Sequence, residues 1–277
     1  MDTTSAAAFA VNDYAYTQSH AVGDSIALLA GRGHRVFELM VYPGHLWPDE
    51  LDATARADLR RRIEGEGLRV TTLNMPNVDV NVAAASPGMR RYSLDLLADT
   101  VRLAGDLGAE GVIVGPGKPN PLFPMPVPDM QAHFFAALDV LRPVARDAGV
   151  ALWVENMPFA FLPLAPQLMD ALARYGDDAV GVVYDVANAV FAGEDPVEGL
   201  RLVRSRLTLV HLSDTSREVY RHDPVGRGVV DFAALPATLE EVGYRDPAML
   251  ELITPDPDRD IPESVDRLVG SGWPVAP

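Results

Sequence analysis

The sequence predicts an α/β protein built as a single (β/α)8 barrel over residues 1–277. Short β-branched runs alternate with longer helical patterns, and eight such units fit the 277 residues. Several runs, such as VALWV, AVGVVY and LTLVHL, are almost wholly apolar, which is typical of strands that helices cover on both faces. Regular alternation favours parallel strands with right-handed crossovers. A barrel of this kind takes about 250 residues as one domain.

Eight segments have the composition of buried strands. They are Phe9–Asn12, Arg35–Val41, Arg69–Asn74, Gly111–Val114, Val150–Glu155, Val180–Asp185, Leu207–Leu212 and Ala248–Ile253. An open doubly wound sheet is the main alternative, but no G-x-G-x-x-G turn follows the first strand and opens a helix.

Three helical patterns are the clearest, at residues 49–64, 89–107 and 130–148. Each pattern is followed directly by a glycine, which is the usual signal for the end of a helix. Pro143 lies inside the third pattern, where a proline can kink a helix. The helices predicted here separate the second, third, fourth and fifth strands.

Composition narrows the function classes. The net charge is −16, which disfavours nucleic acid as a partner because phosphate binding depends largely on Lys and Arg. The absence of cysteine excludes a disulfide scaffold, a Cys-ligated zinc site and a thiol nucleophile. We see neither a signal peptide nor a membrane-spanning apolar run. A cytoplasmic location with no membrane contact is therefore expected.

Acidic and imidazole side chains stand at or near the ends of the last four strands. They are Glu155, Asp185, His211 and Glu251. In a parallel barrel all carboxyl ends of the strands meet at one mouth, so these side chains are expected to converge. Three carboxylates and one imidazole suit one divalent metal ion: Mn²⁺, Mg²⁺ or Co²⁺, with Zn²⁺ or Fe²⁺ as alternatives.

Each of these residues also has a structural interpretation. Asp185 could cap the helix that follows it, His211 could be a core histidine, and Glu251 could pair with an arginine. Taken together, three acids and a histidine inside one core would be costly without a cation or other partners.

Five motifs carry a resemblance to a known family. They are WVENMP (153–158), VVYDVANA (182–189), LVHLSDTSR (209–217), the pattern Y-R-H-x-P-x-G-x-G-x-x-D-F from Tyr220 to Phe232, and LEL (250–252). The chain resembles the xylose isomerase-like TIM barrels of the sugar phosphate isomerase/epimerase superfamily. That group includes ketose 3-epimerases, hydroxypyruvate isomerase, inosose dehydratase, 3-dehydroshikimate dehydratases and endonuclease IV. The motifs cover the C-terminal half, whereas the N-terminal half matches in rhythm.

The resemblance implies roles for individual residues. The family's metal ligands fall on Glu155, Asp185, His211 and Glu251, and its acid–base pair falls on the two glutamates. Arg217 matches a substrate-binding arginine of the epimerases, with a solvated loop arginine as the alternative.

Weaker expectations concern other polar side chains near the predicted strand ends. His222, Asn188 and Glu38 are further candidates for substrate binding; a structural ion pair is the alternative for Glu38. Asn12, Asn74 and Asn156 at the strand ends could act as neutral donors. Asp214 could orient His211 or neighbouring loop groups.

The chain also departs from the family pattern. Asn188 stands where the family often has a histidine, and an amide cannot shuttle a proton at neutral pH. Endonuclease IV needs that histidine, further histidines on the third and fourth strands, and an Asp-x-His loop. Here the third strand ends in LNMPN, the fourth in VGPGK, and the loop reads Tyr220-Arg221-His222. One metal and a small polyhydroxy substrate are therefore expected.

Three functions remain open. The first is a metal-dependent isomerase or epimerase of a small sugar, keto-sugar or cyclitol, working by proton transfer through an enediolate. The second is a dehydratase of an inosose or 3-dehydroshikimate-like compound, with His222 or Tyr220 as the acid. The third is a non-catalytic binding protein. Relatives are commonly dimers or tetramers, so a homo-oligomer is an alternative to a monomer.

Overall fold

Eight parallel strands close into a barrel whose order around the ring follows the chain, β1 to β8. The computed structural model describes residues 3–76 and 80–275. The strands are β1 (Ala10–Asn12), β2 (Val36–Met40), β3 (Arg69–Asn74), β4 (Gly111–Val114), β5 (Ala151–Glu155), β6 (Gly181–Asp185), β7 (Leu207–Leu212) and β8 (Met249–Leu250). Pairing of β1 with β8 closes the ring. The predicted (β/α)8 barrel is confirmed.

Helices precede, connect and follow the strands around the outside of the barrel. They are α1 (Thr3–Ala7), α2 (Val22–Gly31), α3 (Ala53–Gly65), α4 (Pro87–Leu107), α5 (Val127–Ala148), α6 (Ala165–Tyr175), α7 (Val186–Phe191), α8 (Pro196–Val203), α9 (Leu235–Glu241) and α10 (Pro257–Gly270). Short 3-10 turns cover Tyr14–Tyr16 and Pro48–Glu50. Within the described ranges, every helix falls short of the length or apolar character needed to cross a bilayer.

Glycines end the long helices largely as expected. Gly108 and Gly149 follow α4 and α5 in the left-handed conformation, with φ of 74° and 70°, which costs a glycine little because it has no Cβ. Helix α3 ends at Gly65, but its left-handed residue is Gly67. Helix α5 continues through Pro143.

Apolar side chains fill the barrel beneath its mouth. Ala10, Ile113, Trp153, Val183, Leu209 and Met249 form this interior cluster, which we call the apolar plug. A separate and larger core lies between the strands and the helices. Successive residues of a strand point to opposite faces, so the residue two positions after a plug member also points inward, one layer nearer the mouth. The plug thus defines the floor on which the candidate site stands.

Strand register places the key side chains at a common height. Asp185 is directly opposite His211 in the β6–β7 pair. The register shifts between Phe37 and Glu38 on β2 and between Val182 and Val183 on β6. Irregularities of this kind re-aim the side chains that follow them, and both precede a polar residue of the site.

Candidate metal centre

The four predicted ligands converge at the carboxyl ends of the last four strands. Glu155 and Asp185 are the final residues of β5 and β6. His211 is the penultimate residue of β7, and Glu251 follows β8 directly. Each lies two positions after a plug residue. All four are buried, and one ligand atom from each lies within 4.8 Å of the others.

His211 is central to the cluster. Its Nδ1 lies 3.1 Å from Glu251 Oε2, 3.6 Å from Glu155 Oε1 and 3.9 Å from Asp185 Oδ2. The strand β8 is shorter than predicted, yet the Glu251 N–H still donates to the Leu212 carbonyl at 3.1 Å. That bond keeps Glu251 in the barrel wall.

The donor set fits a divalent cation. Asp185 Oδ1 accepts from the Asn188 N–H at 2.7 Å and so caps α7, as its structural interpretation predicts. Its other oxygen, Oδ2, is buried and has no hydrogen-bond partner in the described part of the chain. A buried carboxylate oxygen without a donor is costly unless a cation faces it. Asp185 can therefore serve as helix cap and metal ligand at once.

The pKa values of the four side chains shift in different directions. Burial raises the pKa of Glu155 to about 7 and that of Asp185 to about 6. Burial alone would lower the pKa of His211, but the charges of Glu38 and Glu251 outweigh it and raise that pKa well above its usual value. Burial would likewise raise the pKa of Glu251, but His211 and His222 lower it. Crowded carboxylates of this kind favour a bound positive charge.

Glu38 contacts the ring nitrogen of His211 that faces away from the other three candidate ligands. Its side chain is fully buried, and its Oε2 lies 3.2 Å from His211 Nε2. It also accepts from Asn12 Nδ2 at 2.5 Å, Thr72 Oγ1 at 2.5 Å and Asn74 Nδ2 at 3.2 Å. A carboxylate on one ring nitrogen fixes the orientation of a metal-binding histidine and leaves the other nitrogen for the metal. Glu38 thus holds His211 Nδ1 toward the centre.

A cavity of about 330 Å³ opens above the ligands. Its lining includes the two glutamates and two of the predicted substrate-binding residues, Asn188 and His222. Glu38 lies outside this lining. Arg217 is also outside it and is exposed on the loop after β7. The remaining lining residues are Tyr14, Met40, Asn74, Met75, Pro76, Lys118, Met157, Pro158, Phe159, Ala160, Tyr220 and Ile253.

The loop after β7 is organised by Asp214. Its carboxylate accepts from the N–H groups of Gly226 and Gly228 at 2.8 Å and of Val230 at 3.0 Å. A Cβ at Gly228 would collide with the Thr215 carbonyl oxygen and with Asp214 itself, so only glycine fits there. Of the two roles predicted for Asp214, the structure thus shows the loop contacts, which hold in place the segment that carries His222.

Family comparison agrees with the strand-end pattern. The family model described as xylose isomerase-like TIM barrel matches residues 26–269. The chain belongs to this family. The resemblance seen in the C-terminal motifs is confirmed, and it extends through most of the N-terminal half.

Three relatives of this xylose isomerase-like TIM barrel illustrate the range of similar proteins. The chain is 26% identical to an L-ribulose 3-epimerase of Mesorhizobium japonicum over 247 residues, covering 87% of this chain and 80% of that protein. It is 29% identical to a probable endonuclease 4 of Mycobacterium leprae over 178 residues, covering 59% and 66%. An uncharacterized protein of Methanocaldococcus jannaschii, MJ1311, is 27% identical over 192 residues, and the match spans 68% of this chain but only 64% of that protein.

A solved structure shares the whole barrel. The crystal structure of a D-tagatose 3-epimerase-like protein superposes with a TM-score of 0.80 at 20% identity, covering 95% of this chain and 96% of that one. Similarity at this level of identity shows the common fold.

Several cavity residues of this family member escaped the sequence analysis. Tyr14, Met157 and Phe159 lie two to four residues beyond the ends of β1 and β5. Position alone could have indicated them, because residues just after a strand of a (β/α)8 barrel line its mouth. Loop side chains follow no period, so the sequence pattern does not show which of them turn inward.

Proposed function

We propose that this chain is a divalent-metal-dependent epimerase or isomerase of a small sugar, keto-sugar or cyclitol. The observation that carries this proposal is the convergence of four buried ligand side chains, two of them glutamates that line the cavity. The match to an L-ribulose 3-epimerase over 87% of this chain supports the same class of reaction.

The two glutamates can serve as the acid and the base. They reach the cavity from β5 and β8, which β6 and β7 separate in the ring. One carboxylate removes a proton from a substrate carbon, and the other donates a proton to that carbon from its own side. Transfer between opposite faces inverts the carbon, whereas transfer between neighbouring positions would move a carbonyl group.

A cation held by the four side chains would polarise a substrate carbonyl and acidify the neighbouring C–H group. Mn²⁺, Mg²⁺ and Co²⁺ suit three carboxylates and one imidazole, and Zn²⁺ is an alternative. The remaining polar groups of the lining, Asn188 and His222 among them, can hold substrate hydroxyls by hydrogen bonds.

Solvent exchange tests the proposal directly. Metal-loaded protein is incubated in D₂O with a panel of ketoses, aldoses and cyclitols, and deuterium incorporation is followed by NMR. We expect incorporation at one carbon of the true substrate and none after metal removal or with Glu251→Gln. If wild-type protein exchanges no carbon-bound proton in the whole panel, the epimerase and isomerase proposal fails.

A dehydratase is a second candidate because a further acid stands beside the ligands. His222 Nδ1 lies 3.4 Å from Glu251 Oε2, and its Nε2 lies 2.7 Å from the Tyr220 hydroxyl. His222 could protonate a leaving hydroxyl when its site-facing Nδ1 carries a proton, while its Nε2–H group donates to Tyr220. Inososes and 3-dehydroshikimate-like compounds would then give a new enone absorbance, and a flat spectrum would count against this candidate.

A small-molecule partner fits the cavity better than nucleic acid. Lys118 is the one cationic Lys or Arg side chain among the described lining residues, and the chain carries a net charge of −16. Phosphate backbones are bound chiefly through Lys and Arg. Manganese as the natural metal, a cytoplasmic location and a homo-oligomeric state stay predictions.

A further inference from the structure

We propose that Tyr220 is a positioning residue that orients Asn188 and His222, the two lining side chains that adjoin the glutamates of the site. Its hydroxyl lies 2.8 Å from Asn188 Oδ1 and 2.7 Å from His222 Nε2. Asn188 Nδ2 in turn lies 3.1 Å from Glu155 Oε1, and His222 Nδ1 lies 3.4 Å from Glu251 Oε2.

The orientation of the Asn188 amide follows from its partners. A carboxylate oxygen only accepts hydrogen bonds, so the NH₂ group of Asn188 must face Glu155. The amide oxygen then faces Tyr220, whose single O–H proton is donated to it. A flipped amide would place its oxygen against the carboxylate and its NH₂ group against the hydroxyl proton.

The tautomer of His222 follows in the next step. Because the Tyr220 proton points to Asn188, the phenolic oxygen is left as an acceptor for His222. The imidazole must therefore carry a hydrogen on Nε2. Its Nδ1 then faces the site, 3.4 Å from Glu251 Oε2 and 3.7 Å from Asp185 Oδ2, and it accepts from the Ser213 hydroxyl at 3.1 Å. The Tyr220 hydroxyl thus anchors the amide oxygen of Asn188 and the Nε2–H group of His222.

Aromatic packing holds this hydroxyl in place. The Tyr220 ring contacts Phe159 edge-on, with centroids 5.3 Å apart and planes at 89°. It also packs on Phe191 at 5.3 Å and on His222 at 5.2 Å. Burial, together with the charges of Asp185 and Glu155, raises the pKa of Tyr220 far above its usual range, so the phenol keeps its proton at every working pH.

Tyr220→Phe isolates the hydroxyl because it leaves the ring packing intact. Tyr175→Phe is the matched control: that hydroxyl also donates to a side chain, Asp139 Oδ1 at 2.9 Å, but it belongs to α6 outside the cavity lining. We expect both variants to fold and to bind Mg²⁺ with a Kd within about twofold of the wild-type value, although Tyr220→Phe should lower the Tm because two buried polar groups lose their partner. Neither hydroxyl donates to one of the four ligands.

The first measurement is the ¹⁵N spectrum of the histidine rings in Mg²⁺-loaded protein, with the His222 signals assigned from His222→Gln. The wild type and Tyr175→Phe should show a protonated Nε2 on His222, and Tyr220→Phe should lose that preference. An unchanged His222 spectrum in Tyr220→Phe would overturn the proposal.

The second measurement is kinetic and depends on the epimerase activity proposed above. Loss of a hydrogen bond that orients a functional side chain typically costs about 10- to 100-fold, and we expect a loss of this size in kcat/KM for Tyr220→Phe. In the Asn188→Ala background, adding Tyr220→Phe should slow the reaction by only a few-fold more, because the contact between Tyr220 and Asn188 is already lost. Fully multiplicative effects would contradict coupling through Asn188. If the wild type is inactive on every substrate, the proposed function fails, while the ¹⁵N spectra still decide the role of Tyr220.

Discussion

Asp185→Asn should stabilise the metal-free protein while abolishing its response to metal. In the metal-free state the Asp185 carboxylate is buried beside Glu155 and Glu251, and one of its oxygens has no donor among the described residues. Asparagine keeps the shape and the oxygen that accepts from the Asn188 N–H, removes the charge, and supplies an NH₂ group that can donate to the neighbouring carboxylates.

The size of the effect follows from the shifted pKa. Burial raises the pKa of Asp185 from 3.8 to about 6, which is about two units, and each unit corresponds to about 1.4 kcal/mol. A carboxyl group with a raised pKa in the folded state binds more protons folded than unfolded, so its ionisation lowers stability as the pH rises from 3.8 through 6. At pH 7 the substitution should therefore add about 1–3 kcal/mol to the free energy of unfolding.

Thermal unfolding in EDTA and in excess Mn²⁺ measures both halves of this expectation. Saturation of the wild type at about 100 times its Kd adds about 2.7 kcal/mol, and we expect Mn²⁺ to raise its Tm but not that of Asp185→Asn. The matched control is Asp95→Asn on the exposed side of α4, which should behave as the wild type in both buffers. A variant that is less stable than the wild type in EDTA, or that still gains stability from Mn²⁺, would refute the reasoning.

Three further predictions concern the surroundings of the site. Glu38→Gln should weaken metal binding about tenfold or more in a calorimetric titration, because His211 loses the charged partner that orients it; an unchanged Kd would contradict this. Gly228→Ala should lower kcat and also make the loop after β7 more sensitive to protease, because a Cβ there collides with the Thr215 carbonyl oxygen. Normal kcat together with normal protease resistance would contradict this prediction. Burial lowers the pKa of His34 to about 4, so the imidazole is neutral when folded, and protonation of His34 alone should lower the free energy of unfolding by about 3 kcal/mol as the pH drops from 6.5 to 4. His34→Leu should remove this contribution from the pH dependence of the free energy of unfolding, measured by urea titrations at several pH values. The same pH dependence in the variant and the wild type would contradict the prediction.

The sequence predicted the strands and the convergence of four acidic and imidazole side chains well because both follow from periodicity. Strands β3, β4 and β7 have the bounds that the apolar runs indicate, and the ligands stand at the strand ends to which barrel geometry assigns them. A two-residue alternation is enough to place a side chain inward, and it needs no knowledge of loops.

The surroundings of the ligands were harder to predict. Glu38 lies on β2 with the inward orientation that the pattern indicates, but its contact with His211 depends on the shift in register beside it. Arg217 matches a family position, yet the loop that carries it turns the side chain outward. The link from Asn188 through Tyr220 to His222 joins two loops, and such contacts are fixed by tertiary packing that a single sequence does not display.

The apolar plug limits the route by which small molecules enter and leave the site. Because Trp153, Val183, Leu209 and Met249 close the barrel directly beneath the four ligands, the described structure leaves the rim as the route to them. A ligand that enters and a ligand that leaves would use the same rim, and the cavity of about 330 Å³ has the size of a single small-molecule site. Narrowing the rim would slow departure together with entry, so selectivity gained at the loops would come with longer residence of the product.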